Sequence, residues 1–306
     1  MRSLRLLGVP GVGAEDVLVS PDGSRVLTGT NDGSIWSLTI DGSKIERVAQ
    51  TGGRPLGLEW LPDGRLLVCD AHEGLLAVDL FSGDVEVLLT EVDGVRLRFT
   101  NNAAVAADGT IYVSDSTRHY PIEEWKSDLI AHTRSGRLLR RSPDGSVTTL
   151  LDGLAFANGV ALTADAEQVW VAETALARVR RMSVDGRELA AITGLPGYPD
   201  NIALGSDGLV WVTIASPPDP TLTFLQGRGA RLRPAVLRLP EPLKPAPKRT
   251  ARVVAYDSNG RLVHDLSADA TEWHMATGVR ERDGQVWLGS LVESAIAVMT
   301  LDGSAA

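Results

Sequence analysis

The chain of 306 residues is predicted to be all-β, a six-bladed β-propeller with four antiparallel strands per blade. Three observations predict this. A unit of roughly 40 to 75 residues recurs, as repeat arrays require. Each unit carries an Asp-Gly turn between two short β-rich runs: Asp22-Gly23, Asp63-Gly64, Asp108-Gly109, Asp207-Gly208 and Asp283-Gly284, with Asp165-Ala166 as a degenerate member. The seventh residue before each aspartate is Glu15, Leu56, Asn101, Asn158, Asp200 and Ala276, so four of six equivalent positions carry a hard oxygen. In a closed ring such positions converge on one axis.

The strands follow in order from apolar/polar alternation and β-branched enrichment. Unit one gives 16–20, 25–30, 34–40 and 44–50, joined by Pro21-Asp-Gly, Asn31-Asp-Gly and Asp41-Gly. Asp-Gly and Asn-Gly supply the positive φ angles of a two-residue hairpin, so the units are expected to be antiparallel meanders. Unit four repeats the scheme at 159–163, 168–173, 177–183 and 187–192. Unit six reaches only 277–281, 285–290 and 295–300, and residues 4–7 are expected to supply its outer strand and close the ring. The whole chain, 1–306, is expected to be one domain.

Two insertions, at about 116–135 and 216–249, separate the second and third strands of units three and five. The first places Ile122, Trp125 and Leu129 at helical spacing behind Pro121. The second holds half of the chain's 16 prolines. Strand one starts and strand two ends on the same face of a meander, so both insertions are expected to hang as lids over the face that carries Glu15, Asn101, Asn158 and Asp200. His119, Tyr120 and Trp125 are thereby candidates for substrate contact, with Thr277 from unit six.

Composition narrows the function classes. A net charge of −9 argues against nucleic acid as a partner. The lone cysteine, Cys69, makes no internal disulfide and fits a reducing compartment. The first ten residues lack the apolar core of a signal peptide, and no stretch approaches the roughly 18 apolar residues of a membrane span. The expectation is a cytoplasmic protein that acts on a small molecule, with no membrane partner. The basic run Arg228, Arg231, Arg233, Arg238, Lys244, Lys248 and Arg249 reads as a solvated lid surface. Nothing matches a serine nucleophile elbow or a phosphate loop.

Singly, Asn158-Gly159, Pro199-Asp200-Asn201 and Glu15-Asp16 are ordinary turn or loop pairs. A shared distance to the next turn is not something turn chemistry demands. Two carboxylates and neutral amide carbonyls, without histidine or thiolate, suit a hard cation: Ca²⁺ at Glu15, Asn101, Asn158 and Asp200, with Asn201 able to add an oxygen. Zinc is disfavoured by the same absence. His119 and His274 are the histidines nearest the proposed face, whereas His72, His132 and His264 look peripheral.

Phe156-Ala-Asn-Gly-Val-Ala-Leu, Val171-Ala-Glu-Thr-Ala-Leu-Ala-Arg-Val-Arg-Arg, Leu195-Pro-Gly-Tyr-Pro-Asp-Asn-Ile and Leu288-Gly-Ser-Leu resemble the strictosidine synthase-like proteins. These belong to a wider group of six-bladed propellers with the gluconolactonase or regucalcin-type enzymes and the paraoxonases. The resemblance runs from about residue 13 to 301. It implies a calcium site at Glu15, Asn101, Asn158, Asp200 and Asn201, the set also reached from the register. It implies as well that the acid/base glutamate of true strictosidine synthases falls on Ala276, or on Thr277 one residue along, and the paraoxonase histidine on Leu56; neither group is present. Glu272 is nearby but out of register. The function expected is a Ca²⁺-dependent hydrolase of lactones or related esters, with Asp200, or else Glu15, helping to deprotonate water. The alternatives are an amine–aldehyde condensing lyase and a non-catalytic ligand-binding propeller.

Overall fold

The computed structural model describes residues 2–301. Six four-stranded antiparallel sheets form the blades of a propeller, the first five running from an inner to an outer strand in chain order. Blade 1 comprises Leu18–Val19, Arg25–Gly29, Ser34–Thr39 and Ile45–Gln50. The inner strands of blades 2 to 6 are Pro55–Trp60, Thr100–Val105, Ala157–Leu162, Tyr198–Leu204 and Ala276–Arg282. Blade 6 takes its outer strand from the N-terminal segment, where Arg5–Gly8 pairs antiparallel with Ala295–Thr300, Arg5 facing Val298 and Gly8 facing Ala295. The closure is as expected, one residue further along. It leaves the first and last strands paired with each other, so the ring has no open seam.

The strand period of two puts apolar side chains on both faces of the inner strands, because each blade packs between two others. Six buried clusters result, each shared by neighbouring blades, such as Leu18, Leu27, Leu58 and Leu66 between blades 1 and 2. Trp170, Trp211 and Trp287 occupy corresponding places in the second strands of blades 4, 5 and 6, and are at most 1% exposed.

The blade turns differ from the expected two-residue form. At Asp22-Gly23 only the glycine is left-handed, with φ 73°. The aspartate instead accepts from the backbone N–H two residues on, Asp22 from Ser24 at 3.1 Å, Asp63 from Arg65 at 3.0 Å, Asp108 from Thr110 at 2.9 Å and Asp207 from Leu209 at 3.0 Å. The carboxylate, acting as an Asx cap, is what selects aspartate here. Among the turns that mark the blades, Asp283-Gly284 alone has both residues left-handed, at 51° and 78°, and is a true two-residue turn.

Both insertions fold where expected. Residues Trp125–Ala131 form α1 in the first; Pro220–Gln226 and Arg233–Leu237 form α2 and α3 in the second. Asp219 caps α2 by accepting from Leu222 N at 2.8 Å. Asp128 in α1 accepts from Thr117 Oγ1 at 2.7 Å and Thr133 Oγ1 at 2.6 Å, which holds the first insertion to the end of its strand. Leu129 and Ile130 of α1 pack with Leu222 and Leu225 of α2 in one apolar cluster.

Candidate metal centre and active site

The inner strands start on one face, and their starting residues meet there. Glu15, Leu56, Asn101, Asn158, Asp200 and Thr277 all line one cavity of about 840 Å³, a volume that includes its open mouth. The sixth ring position is Thr277, and the count that points to Ala276 is off by one. The two-residue turn at Asp283-Gly284 is shorter than the other blade turns, so one residue fewer separates the site from the aspartate. Ala276 is instead fully buried in the core between blades 5 and 6. The next residue in each strand is Asp16, Gly57, Asn102, Gly159, Asn201 and Gly278, an alternation of polar side chain and glycine around the ring. Polar members bridge blades: Asp16 accepts from Leu58 N at 2.9 Å and Asn102 from Val160 N at 2.9 Å. Glycines permit the close approach; a Cβ on Gly57 would stand 2.7 Å from Asn102 Cα.

Hydrogen bonds orient the amides. Thr174 Oγ1 donates to Pro199 O at 2.7 Å, so toward Asn158 Nδ2, 3.2 Å away, it can only accept. Asn101 Nδ2 donates to Ser116 Oγ at 3.0 Å, and Asn201 Nδ2 to Glu15 Oε1 at 3.1 Å. Every amide nitrogen is thus engaged. The oxygens Asn101 Oδ1, Asn158 Oδ1, Asn201 Oδ1 and Glu15 Oε2 are buried with no hydrogen-bond partner among the described residues. A buried acceptor without a partner costs about 1–3 kcal/mol. Four such oxygens from three blades and the loop entering blade 1 make a donor set that fits a hard cation. Asn201 belongs to this set through Glu15, although it does not itself line the cavity.

The charges agree. Burial raises the Glu15 carboxyl well above the usual carboxylate range, with Asp200 and Asp16 adding to the rise and Arg54 opposing it. Burial pushes Asp200 to about 7, eased by the Asn158 side chain and increased by the Asp16 charge. Asp16 rises to about 6, again through burial, against the pull of Arg280. Three buried acids thus share the axis, with the Arg54 guanidinium acting on Glu15 and that of Arg280 on Asp16. Among the described residues no group of three His, Cys, Asp or Glu is arranged as metal ligands, so the oxygen set depends on its amides.

Thr277 lines the cavity, and its hydroxyl donates to the Glu15 carbonyl at 2.8 Å, which fixes that residue's backbone. Trp125 also lines the cavity. From the same insertion the wall takes Ile122, Lys126, Leu129 and Ile130, and not His119 or Tyr120. Those two precede the helix, whose buried face turns the later residues inward. His274 is held by the Glu293 carboxylate and does not line the cavity; His72 pairs with Glu123 at 2.8 Å, and His264 stacks on Trp211 at 5.5 Å.

Residues two before the site were not singled out in the sequence. Phe99, Phe156 and Tyr198 all line the cavity, and the two phenylalanines meet edge to face at 5.4 Å. Their constant spacing from Asn101, Asn158 and Asp200 is the signal that finds them. Phe156 and Met275, both lining the cavity, hold left-handed φ angles of 65° and 57°, uncommon for such side chains.

Comparison with known proteins agrees with this architecture. The model described as the SMP-30/gluconolactonase/LRE-like region matches residues 26–218. The adipocyte plasma membrane-associated protein of Salmo salar is 33% identical over 316 residues, covering 90% of this chain and 74% of that protein. Strictosidine synthase-like 6 of Arabidopsis thaliana is 34% identical over 208 residues, covering 66% of this chain and 56% of that protein. A gluconolactonase structure from Xanthomonas campestris superposes with a TM-score of 0.71 at 16% identity, covering 97% of this chain and 89% of that one. The calcium-binding protein regucalcin from Agrobacterium tumefaciens gives 0.67 at 14%, covering 98% and 94%. At such identities the structures establish the fold alone. The family match over residues 26–218, joined to the six-bladed ring, places this chain in the SMP-30/gluconolactonase/LRE-like family.

Proposed function

We propose that the chain is a Ca²⁺-dependent hydrolase of lactones or related esters. The observation that carries this reading is the set of four unpartnered buried oxygens, from Glu15, Asn101, Asn158 and Asn201, beside the Asp200 carboxylate at an apolar cavity. Bound at these oxygens, a calcium ion would polarise a substrate carbonyl and stabilise the charge that develops on it. Asp200 is the residue assigned to take the proton of water. It forms no ion pair among the described residues, and a cation bound beside it would favour the ionised carboxylate, the form that accepts a proton from water. Glu15 is less free, since Oε1 is held by Asn201. Leu56, Phe99, Phe156 and Leu222 hold the part of the substrate away from the carbonyl and keep water from it.

Similarity to strictosidine synthase-like relatives brings in a condensing lyase as the second reading. Its carboxylate in blade 6 is replaced by Thr277, whose hydroxyl is already engaged with Glu15. The deciding experiment is a panel of lactones, aryl esters and phosphotriesters assayed with Ca²⁺ and after chelation. Calcium-dependent turnover, lowered at least about 100-fold by Asp200→Asn with the melting temperature of the metal-free protein retained, supports the assignment. Metal binding without turnover of any member favours a ligand-binding propeller, and cyclised product from an amine and an aldehyde favours the lyase.

A further inference from the structure

The cations of the second insertion fall into two groups. Arg233 donates to the carbonyls of Leu225 at 2.8 Å, Gln226 at 2.6 Å and Ala131 at 3.2 Å, and so closes the ends of α2 and α1. Arg249 donates to Ala270 O at 2.8 Å and Thr271 O at 2.7 Å, and Lys244 pairs with Glu241 at 2.6 Å. These three are structural. The side chains of Arg228, Arg231, Arg238 and Lys248 have no hydrogen bond or ion pair among the described residues. Interleaved with them are four large apolar side chains in contact with water: Phe224 is 50% exposed, Leu232 52%, Leu239 39% and Leu243 67%. Helix α2 shows the division within one element, since Leu222 and Leu225 pack into the cavity wall while Phe224 faces out.

A solvated lid needs no such apolar residues, and an apolar contact alone needs no such charges. Free cations mixed with exposed Phe and Leu are what an anionic lipid surface recognises, the charges meeting headgroups and the apolar tips entering below them. We infer that this face of the second insertion docks onto an anionic lipid surface, with the mouth of the cavity turned toward the bilayer. Charge complementarity selects both occupant and orientation. With a net charge of −9, most of the molecule is repelled by anionic lipid, and the patch is the part drawn to it. From 220 to 243 the segment consists of short helices and the links between them, which offer no strand edge for a peptide to extend. The association inferred is a peripheral one; among the described residues no helix is long and apolar enough to cross a membrane. It departs from the expectation, drawn from composition, of no membrane partner.

The test is flotation of the whole chain with vesicles of phosphatidylcholine, alone or mixed with phosphatidylglycerol, at low and high salt. Binding to the mixed vesicles only, lost at high salt, is expected. Near a charged surface each cation contributes about fivefold in partitioning, so R228E/R231E/R238E should weaken binding at least about 100-fold. F224S/L243S should weaken it about tenfold while leaving its salt dependence. None of these positions lines the cavity, so melting temperature and hydrolysis of a small water-soluble ester should be unchanged. No binding, equal binding to pure phosphatidylcholine, or full binding by the charge-reversed variant overturns the inference. Binding to an acidic polypeptide that F224S/L243S does not weaken also overturns it, in favour of an acidic protein partner.

Discussion

Gly159→Ala tests whether the site depends on close approach of the inner strands. A Cβ at Gly159 would lie 2.1 Å from Ile202 N and 2.5 Å from both Asn201 C and Asn201 Cα. All three atoms are backbone, so no side chain can swing aside. To restore a 3.4 Å contact, blades 4 and 5 must separate locally by about 1 Å. Overpacking of this kind costs about 3 kcal/mol at the upper end of its usual range, which for a chain of this size lowers the melting temperature by about 6 °C. Asn158 lies on one side of the contact and Asp200 with Asn201 on the other. Metal sites tolerate errors of about 0.2 Å in ligand distance, so Ca²⁺ affinity should fall at least about 100-fold. Differential scanning fluorimetry and titration calorimetry read the two effects, and Gly8→Ala, with no atom within 4 Å of its Cβ, is the control. A Gly159→Ala protein that melts with wild type and binds calcium equally would refute the reasoning.

Thr277→Val removes the donor to the Glu15 carbonyl and should lower calcium affinity about fivefold, a loss near 1 kcal/mol measurable by calorimetry. The metal-free protein should lose stability as pH rises. The folded-state carboxyls of Asp200 near 7, Asp16 near 6 and Glu15 lie above their unfolded values, so protonation favours the folded state; that stabilisation is full below about pH 4 and, for Asp200 and Asp16, gone above about 7. Urea unfolding in the presence of chelator at pH 5 and pH 8 checks the sign, and greater stability at pH 8 contradicts it. Proton competition should also weaken calcium binding as pH falls through about 7, seen as a rising dissociation constant. Thr277→Glu should not by itself create condensing activity, because a new carboxylate beside the unpartnered oxygens would join the cation; cyclised product from that variant would contradict this.

What could be read from the chain depended on how local the cause was. The ring and its closure were legible because strand alternation and Asp-Gly punctuation are local, and Glu15, Asn101, Asn158 and Asp200 because a repeat fixes register. The Thr277 position was blurred because register was counted from the turn, and one turn is shorter. Aspartate at the blade turns was right for a reason different from the one expected: its carboxylate caps a backbone N–H rather than adopting positive φ. His119 and Tyr120 lie in an insertion whose path is set by tertiary packing of α1, which no periodicity reports. The direction of the Asn201 amide, and the burial of Arg54 beside Glu15, follow from contacts across blades and have no local signature.

The central claim is that the ring assembles one hard-cation site. Its most direct test is a calorimetric titration of chelator-stripped protein with Ca²⁺ near pH 8, repeated with Asn158→Ala and Asp200→Asn. One ion per chain is predicted, lost or greatly weakened in both variants. Stabilisation of about 2.7 kcal/mol is predicted at 100 times the dissociation constant. No heat of binding and an unchanged melting temperature in wild type, or equal binding by both variants, would contradict the site.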